Sequence, residues 1–215
     1  MIVNDYIAAI RKEYAMPMLD PSDLPNNPVE TFKHWFDLAI AEKVEEVNAM
    51  VLSTVDAQNR PHSRVVLLKD LTENGLVFFT NYSSKKGQNM TANPMVSINF
   101  FWQTMARQIR IEGKVEKVSE AINEAYFSSR PRLSQAGAIV SKQSEEIDSR
   151  VPLDKQMEML MSQPESEPLP KPLNWGGYNV VPTYFEFWQG RPGRVHDRIA
   201  YEKNGELWRK YRLSP

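Results

Sequence analysis

A chain of 215 residues with 41 % hydrophobic, 25 % charged and 10 % aromatic residues can bury roughly 70 % of its unfolded surface in one large domain, which excludes a disordered or fibrous protein. Lys+Arg 26 against Asp+Glu 27 give a net charge of -1, so no global field draws the chain to nucleic acid or an anionic membrane, and any basic site is local. Zero cysteines exclude disulfides, thiol nucleophiles and thiolate metal sites, and the three histidines, His34, His62 and His196, are too scattered for zinc.

At the N-terminus Asp5, Arg11, Lys12 and Glu13 surround short apolar pairs without the apolar core of a signal peptide, and no apolar run approaches membrane-spanning length. The expectation is a cytoplasmic protein with no membrane partner. Ile7, Ile10 and Tyr14 recur at helical spacing, and Pro17, Pro21 and Pro25 keep the next segment extended. Asn27-Pro28 then caps a helix whose inner face is expected to carry Val29, Phe32, Phe36, Ala39 and Ile40. From Ala49 the period changes to two. Strands are expected over 49–55 and 63–68, joined by Asp56-Ala57-Gln58-Asn59-Arg60, and Glu73-Asn74-Gly75 turns the chain into a strand over 76–80.

A short helix ending at Asn93-Pro94 precedes strands over 95–102 and 107–118; in the second, Ile109, Ile111 and Val115 alternate with Gln108, Arg110, Glu112, Lys114 and Glu116. Ser119 caps a helix to 128, Pro131 opens another to 140, and 152–161 is a third with Leu153, Met157 and Leu160 inward. Pro164, Pro168, Pro170 and Pro172 make a stiff connector. Strands over 178–181, 184–189, 194–201 and 207–211 follow, the last two joined by Asn204-Gly205. Hairpin-linked strands without β-α-β alternation predict a mainly β, antiparallel barrel with peripheral helices. The expected organisation is a single domain over 1–215, with an N-terminal helical segment over residues 1–46 and an inserted helical part over 119–161. No glycine falls in a dinucleotide or phosphate-loop motif, so a nucleotide hydrolase has no support.

The segment Glu186-Phe187-Trp188-Gln189 followed by Arg194-Val195-His196-Asp197-Arg198 is the most informative. In an extended strand Arg194, His196 and Arg198 project from one face, roughly 6 to 7 Å apart, and a hairpin at Gly190-Arg191-Pro192-Gly193 folds that row back beside Trp188. An aromatic plane beside guanidinium and imidazole donors suits a flat, anionic heteroaromatic ligand; the alternative is a solvated edge strand. Ser83-Ser84-Lys85-Lys86-Gly87 lies where a strand ends and a helix begins, where free N–H groups and two lysines suit a phosphate dianion, although taken alone the segment is better explained as a capped helix with its lysines facing water. Arg64, on the preceding hairpin, is placed to share that anion with Lys86. Arg64 and Lys69 fall on opposite faces by strict alternation, so both reach one site only across a bulge or strand end. Tyr126, Arg130 and Ser134 combine a phenol, a guanidinium and a hydroxyl suited to phosphate, or form an ordinary surface helix. Gln108 and Gln143-Ser144 offer hydrogen bonds to an amide-like ring edge. No Ser-His-Asp, Cys-His or paired-carboxylate arrangement is present, which points to a bound cofactor as the carrier of the chemistry.

These residues resemble the pyridoxamine 5'-phosphate oxidase family over almost the whole chain. The likeness is carried by Arg64-Val65-Val66-Leu67-Leu68-Lys69, by Tyr126 through Ser129-Arg130-Pro131 to Ser134, by Val140-Ser141-Lys142-Gln143-Ser144, and most specifically by the Glu186 to Arg198 segment. The resemblance implies a split β-barrel homodimer with FMN between subunits, oxidising pyridoxamine or pyridoxine 5'-phosphate to pyridoxal 5'-phosphate with O2, and releasing H2O2 and, from the amine, ammonia. It implies that Arg64, Lys85, Lys86 and Ser144 hold the flavin phosphate and ribityl chain. Val65, Val66, Leu67, Leu68, Lys69, Phe79, Thr80, Gln108, Gln143, Trp188 and Arg198 then surround the flavin. Lys69, Tyr126, Arg130 and Ser134 would grip the substrate phosphate, with Arg194 and His196 as the catalytic pair over its ring and Arg11 and Tyr14 in an N-terminal lid. Phe79 stands where a tyrosine is common and Lys85 where an arginine is common, so one hydroxyl and one bidentate contact are missing. A related flavin reductase and a non-catalytic flavin-binding module are the alternatives.

Overall fold

The computed structural model describes residues 7, 9, 10 and 13–215. Its elements are α1 (Pro28–Ala41), β1 (Ala49–Val55), β2 (Pro61–Leu67), β3 (Asp70–Thr72), β4 (Gly75–Asn81), α2 (Lys85–Ala92), β5 (Met95–Trp102), β6 (Arg107–Lys117), α3 (Glu120–Ser129), α4 (Arg132–Val140), α5 (Val151–Met161), β7 (Trp175–Gln189), β8 (Asp197–Asn204) and β9 (Leu207–Leu213). Hydrogen bonding runs β2-β1-β5-β6-β7-β4-β3, with β8 on β7 and β9 on β8. The registered pairs β1–β2, β3–β4, β4–β7, β7–β8 and β8–β9 are all antiparallel. The mainly β, antiparallel expectation holds. Among the described residues no helix is long and apolar enough to cross a membrane.

The chain forms two compact units. One comprises the described residues up to Asn48 with Ile98–Glu112 and Thr183–Pro215; the other comprises Ala49–Ser97 and Gly113–Pro182. In the first, Asn27 accepts the Val29 N–H and Pro28 occupies the first turn, as the Asn-Pro pair predicts. The inner face of α1 differs from expectation: Trp35 is 1 % exposed and Ile40 is 53 % exposed. Helical periodicity fits a row of Phe32, Trp35 and Ala39 equally well, and the large indole wins because it meets Phe187 edge-on at 5.2 Å while Phe32 meets Phe100 at 5.3 Å.

No helix reaches Tyr14, since residues 13–20 carry no regular element. Pro17 removes a helical donor, and the backbone of this segment bonds to side chains of its own unit instead. The strand expected over 194–201 begins only at Asp197, and the two strands expected over 178–189 are one strand of 15 residues that continues through Pro182.

In the second unit β1 and β2 form the expected hairpin, registered Ala49↔Leu67 to Val55↔Pro61. β4 lies on the first part of β7, registered Leu76↔Val180 to Asn81↔Trp175. β4 delivers the chain to α2, where Ser84 caps the Gly87 N–H. Gly87 must lack a side chain, because a Cβ would stand 2.0 Å from the Tyr82 carbonyl oxygen. That tight turn fixes where Lys86 leaves the helix. The half-buried face of α5 carries Leu153, Met157 and Leu160, as its spacing predicts.

Candidate functional site

A cleft of about 640 Å³ lies within the second unit. Its walls come from the end of β2 (Val65, Val66, Leu67), from Lys69 beyond it, from the end of β4 (Phe79, Thr80, Asn81) and from Lys86 in the first turn of α2. The α3–α4 corner adds Tyr126, Arg130, Pro131 and Ser134, the next loop adds Gln143, and β7 adds Trp175.

Lys86 is 9 % exposed and spends its three donors on neutral oxygens: Gln143 Oε1 at 2.7 Å, Thr80 Oγ1 at 3.1 Å and Ser84 Oγ at 3.2 Å. Burial, then the nearby Arg64 guanidinium, push its pKa down to about 8. Among the described residues no carboxylate compensates it. Arg64 is not a lining residue. Its Nη1 donates to Leu52 O, Thr54 Oγ1 and His62 O, and burial lowers its pKa. Arg64 and Lys69 do not both line this cleft: β2 stops at Leu67, Leu68 turns inward, and Lys69, beyond the strand end, lines the cleft while Arg64 does not.

Phe79 stacks on Tyr126 with centroids 3.8 Å apart and on Trp175 at 5.5 Å. Its phenyl ring is therefore part of an aromatic stack. Arg130 lies 4.7 Å over Trp175, and its Nη1 is buried with no hydrogen-bond partner. Burial lowers the Arg130 pKa, opposed by Tyr126, and raises the Tyr126 pKa, opposed by Arg130. An uncompensated ammonium, a guanidinium with an unspent donor and flat aromatic faces suit a planar group that carries phosphate. Sequence reasoning missed Trp175. The signal was the glycine pair that follows it in β7: a Cβ on Gly177 would stand 2.9 Å from the Phe79 ring, so only a glycine lets the stack form.

The other expected residues are placed differently. Lys85 and Ser144 are exposed, Ser144 with a left-handed φ of 75°, and neither lines the cleft. Gln108, Trp188, Arg194, His196, Arg198 and Tyr14 belong to the first unit. Arg11 lies outside the described residues. Within that unit Trp188 pairs with Arg198 across β7 and β8, and its ring lies 4.7 Å from His196. His196 Nδ1 accepts the Arg191 N–H at 3.1 Å, which leaves the proton of a neutral ring on Nε2. The expected one-face row is corrected: Arg194 sits in a 3-10 turn at φ 62°, after Gly193 at φ 64°, so strand alternation does not orient it. Positive φ at both residues turns the chain out of the extended state.

Arg198 is held by Glu186, its Nε donating at 2.8 Å. Glu186 is 2 % exposed and also accepts from Arg110 and Tyr184. Burial alone raises its pKa, but Arg198 and Arg110 outweigh it and the net shift is downward. A depressed carboxylate contributes stability above its unfolded pKa that is lost as pH falls through the folded value. Glu186→Gln is therefore expected to cost about 2 kcal/mol at pH 7 and to flatten the acid limb of the stability profile. Urea unfolding at pH 7 and pH 4 checks this, and an unchanged pH 7 midpoint refutes it.

Two family models match the chain: pyridoxamine 5'-phosphate oxidase over residues 36–159, and the pyridoxine 5'-phosphate oxidase C-terminal dimerisation region over 175–215. A pyridoxine/pyridoxamine 5'-phosphate oxidase from Trichormus variabilis is 46 % identical over 210 residues, covering 97 % of this chain and 98 % of its own. The chain belongs to the pyridoxamine 5'-phosphate oxidase family. PhzG from Burkholderia lata, solved in complex with tetrahydrophenazine-1-carboxylic acid, is 28 % identical, with a TM-score of 0.89 over 95 % of this chain and 100 % of its own. An FMN-binding, pyridoxamine 5'-phosphate oxidase-related protein from Nostoc punctiforme shares the fold at 17 % identity and a TM-score of 0.71, over 88 % of this chain and 98 % of its own. The fold of this family member is thus the split β-barrel that the resemblance implies.

Proposed function

We propose that this chain is an FMN-dependent oxidase that converts pyridoxamine or pyridoxine 5'-phosphate to pyridoxal 5'-phosphate, with O2 as electron acceptor and H2O2, plus ammonia from the amine, as by-products. It acts in the cytoplasm as a homodimer with FMN at the subunit interface. The observation that carries the reading is the buried Lys86 ammonium, beside Arg64 and without a carboxylate, on a cleft whose Arg130 keeps an unspent donor. Membership of the family and its C-terminal dimerisation region support the activity and the dimer.

In this reading Lys86 and Arg64 hold the flavin phosphate, while Val65, Val66, Leu67, Thr80 and Gln143 offer backbone and amide contacts along the flavin. Bound FMN would supply the two-electron acceptor for the substrate carbon and pass the electrons to O2. Lys69, Tyr126, Arg130 and Ser134 converge on one cleft and hold the substrate phosphate. Stacking against Phe79 fixes the Tyr126 ring, so its hydroxyl is presented without a search through rotamers. Trp188 and Arg198 face the flavin, and Arg194 and His196 orient the substrate ring. The exposed Lys85 contributes little beyond charge.

The test is direct. The purified protein should be yellow, release FMN rather than FAD on denaturation, and produce peroxide and pyridoxal 5'-phosphate when mixed with pyridoxamine 5'-phosphate in air. Bound flavin without peroxide release would overturn the oxidase in favour of a reductase or a binding module.

A further inference from the structure

We infer that Asp197 is a positioning residue for this reaction, acting through the N-terminal strap of residues 14–20 to seat Tyr14 against Trp188 and His196. The inference rests on the proposed roles of those two rings. Asp197 stands between His196 and Arg198, opens β8 opposite Gln189, and is 8 % exposed. Its Oδ2 accepts the Leu19 N–H at 2.9 Å and lies 3.4 Å from Arg191 Nε, while its Oδ1 accepts from Arg212.

The strap makes no regular hydrogen-bond ladder, and side chains of its own unit bind its backbone instead. Arg191 donates to Met16 O, Gln189 to Pro17 O and Arg212 to Leu19 O, the last at 2.8 Å. With Asp197 receiving the Leu19 N–H, four side chains fix the strap through its peptide groups, which sets its register to a single residue. The consequence is the place of Tyr14. Its ring lies on Gly190, where a Cβ would stand 2.6 Å from Tyr14 Cγ, and meets Trp188 and His196 edge-on at 5.8 and 5.9 Å. Arg191 joins the two ends of this arrangement, because its backbone N–H goes to His196 and its guanidinium to the strap and Asp197. Asp197 touches no reacting group. It acts by holding Leu19 and by compensating Arg191 and Arg212.

Asp197→Asn and Arg212→Met test this in the holoenzyme. The introduced amide NH2 faces a donor whichever way it turns, because both carboxylate oxygens are acceptors here. Arg212→Met removes the opposite half of the clasp and leaves Arg194, His196 and Arg198 untouched, so it decides the matter if the first variant fails to fold. Hydrogen exchange of the 14–20 segment should accelerate about tenfold in both variants. The KM for pyridoxamine 5'-phosphate should rise about tenfold, with kcat and flavin content within about twofold of wild type. A merely structural role would lower the active fraction and leave KM alone. Unchanged exchange in both variants overturns the proposal, as does faster exchange with unchanged KM. Absence of turnover in the unmutated holoenzyme would sink the proposed function instead, and the exchange measurement would still decide whether Asp197 holds the strap.

Discussion

Arg194→Gly is expected to keep its flavin, to melt at or above the wild-type temperature, and to lose about 10²-fold or more of kcat/KM for pyridoxamine 5'-phosphate. The stability half follows from the backbone. Arg194 has a left-handed φ of 62°, directly after Gly193 at 64°, a conformation that costs a residue with a Cβ of order 1 kcal/mol and a glycine almost nothing. The side chain returns nothing to the fold, since it is exposed and, among the described residues, makes no hydrogen bond or ion pair. Strain held in place without a structural return fits the binding role proposed for Arg194. The activity half follows from the proposed role, in which the guanidinium fixes the substrate ring and its loss forfeits alignment. Arg194→Ala separates the two effects: it should lose the same activity while keeping the strain. Thermal unfolding alongside a steady-state peroxide assay reads both quantities, and a melting temperature several degrees lower with turnover retained would remove the assignment.

Local signals were the legible part of this fold. The Asn27-Pro28 cap, the β1–β2 hairpin around Asp56 to Arg60 and the glycine turn into β4 each depend on a few adjacent residues whose backbone preferences agree, and each forms where the pattern predicts. The α3–α4 corner was legible for a related reason, because Tyr126, Arg130 and Ser134 follow helical spacing on either side of one proline and so meet on the cleft. Alternation over 194–198 misled because it presumes an extended chain, and two successive positive φ values delay β8 to Asp197. The inner face of α1 was misjudged because periodicity cannot rank Trp35 against Ile40; only the aromatic partners in the folded unit do that. Trp175 escaped because its importance lies in what stacks on it, a contact made by Phe79 and Arg130 from distant parts of the sequence.

For Lys86 the expected result is a reversal of sign between two pH profiles. In the flavin-free protein burial lowers the Lys86 pKa from 10.5 to about 8, so the ammonium is half lost near pH 8 and fully present only about one pH unit or more below that. Because the shift is downward, the unfolded chain keeps its proton between those values while the folded chain has released it. The stability of the flavin-free protein should therefore rise with pH across that window. Flavin binding should move the other way, tight below pH 8 and weaker above it, because a phosphate dianion needs the charged ammonium. Lys86→Met should abolish both trends and raise the dissociation constant for FMN about 10²-fold at pH 7, the effect of losing charge-assisted bonds of about 2 to 3 kcal/mol. It should not weaken the fold, since methionine fills the aliphatic path and removes a buried charge that meets only Thr80, Ser84 and Gln143. Fluorescence titration of the flavin-free protein from about pH 6 to about pH 10, with urea unfolding over the same range, measures the two slopes. Parallel slopes in the unmutated protein would mean that the ammonium does not meet the flavin phosphate, which would then fall to Arg64 without it.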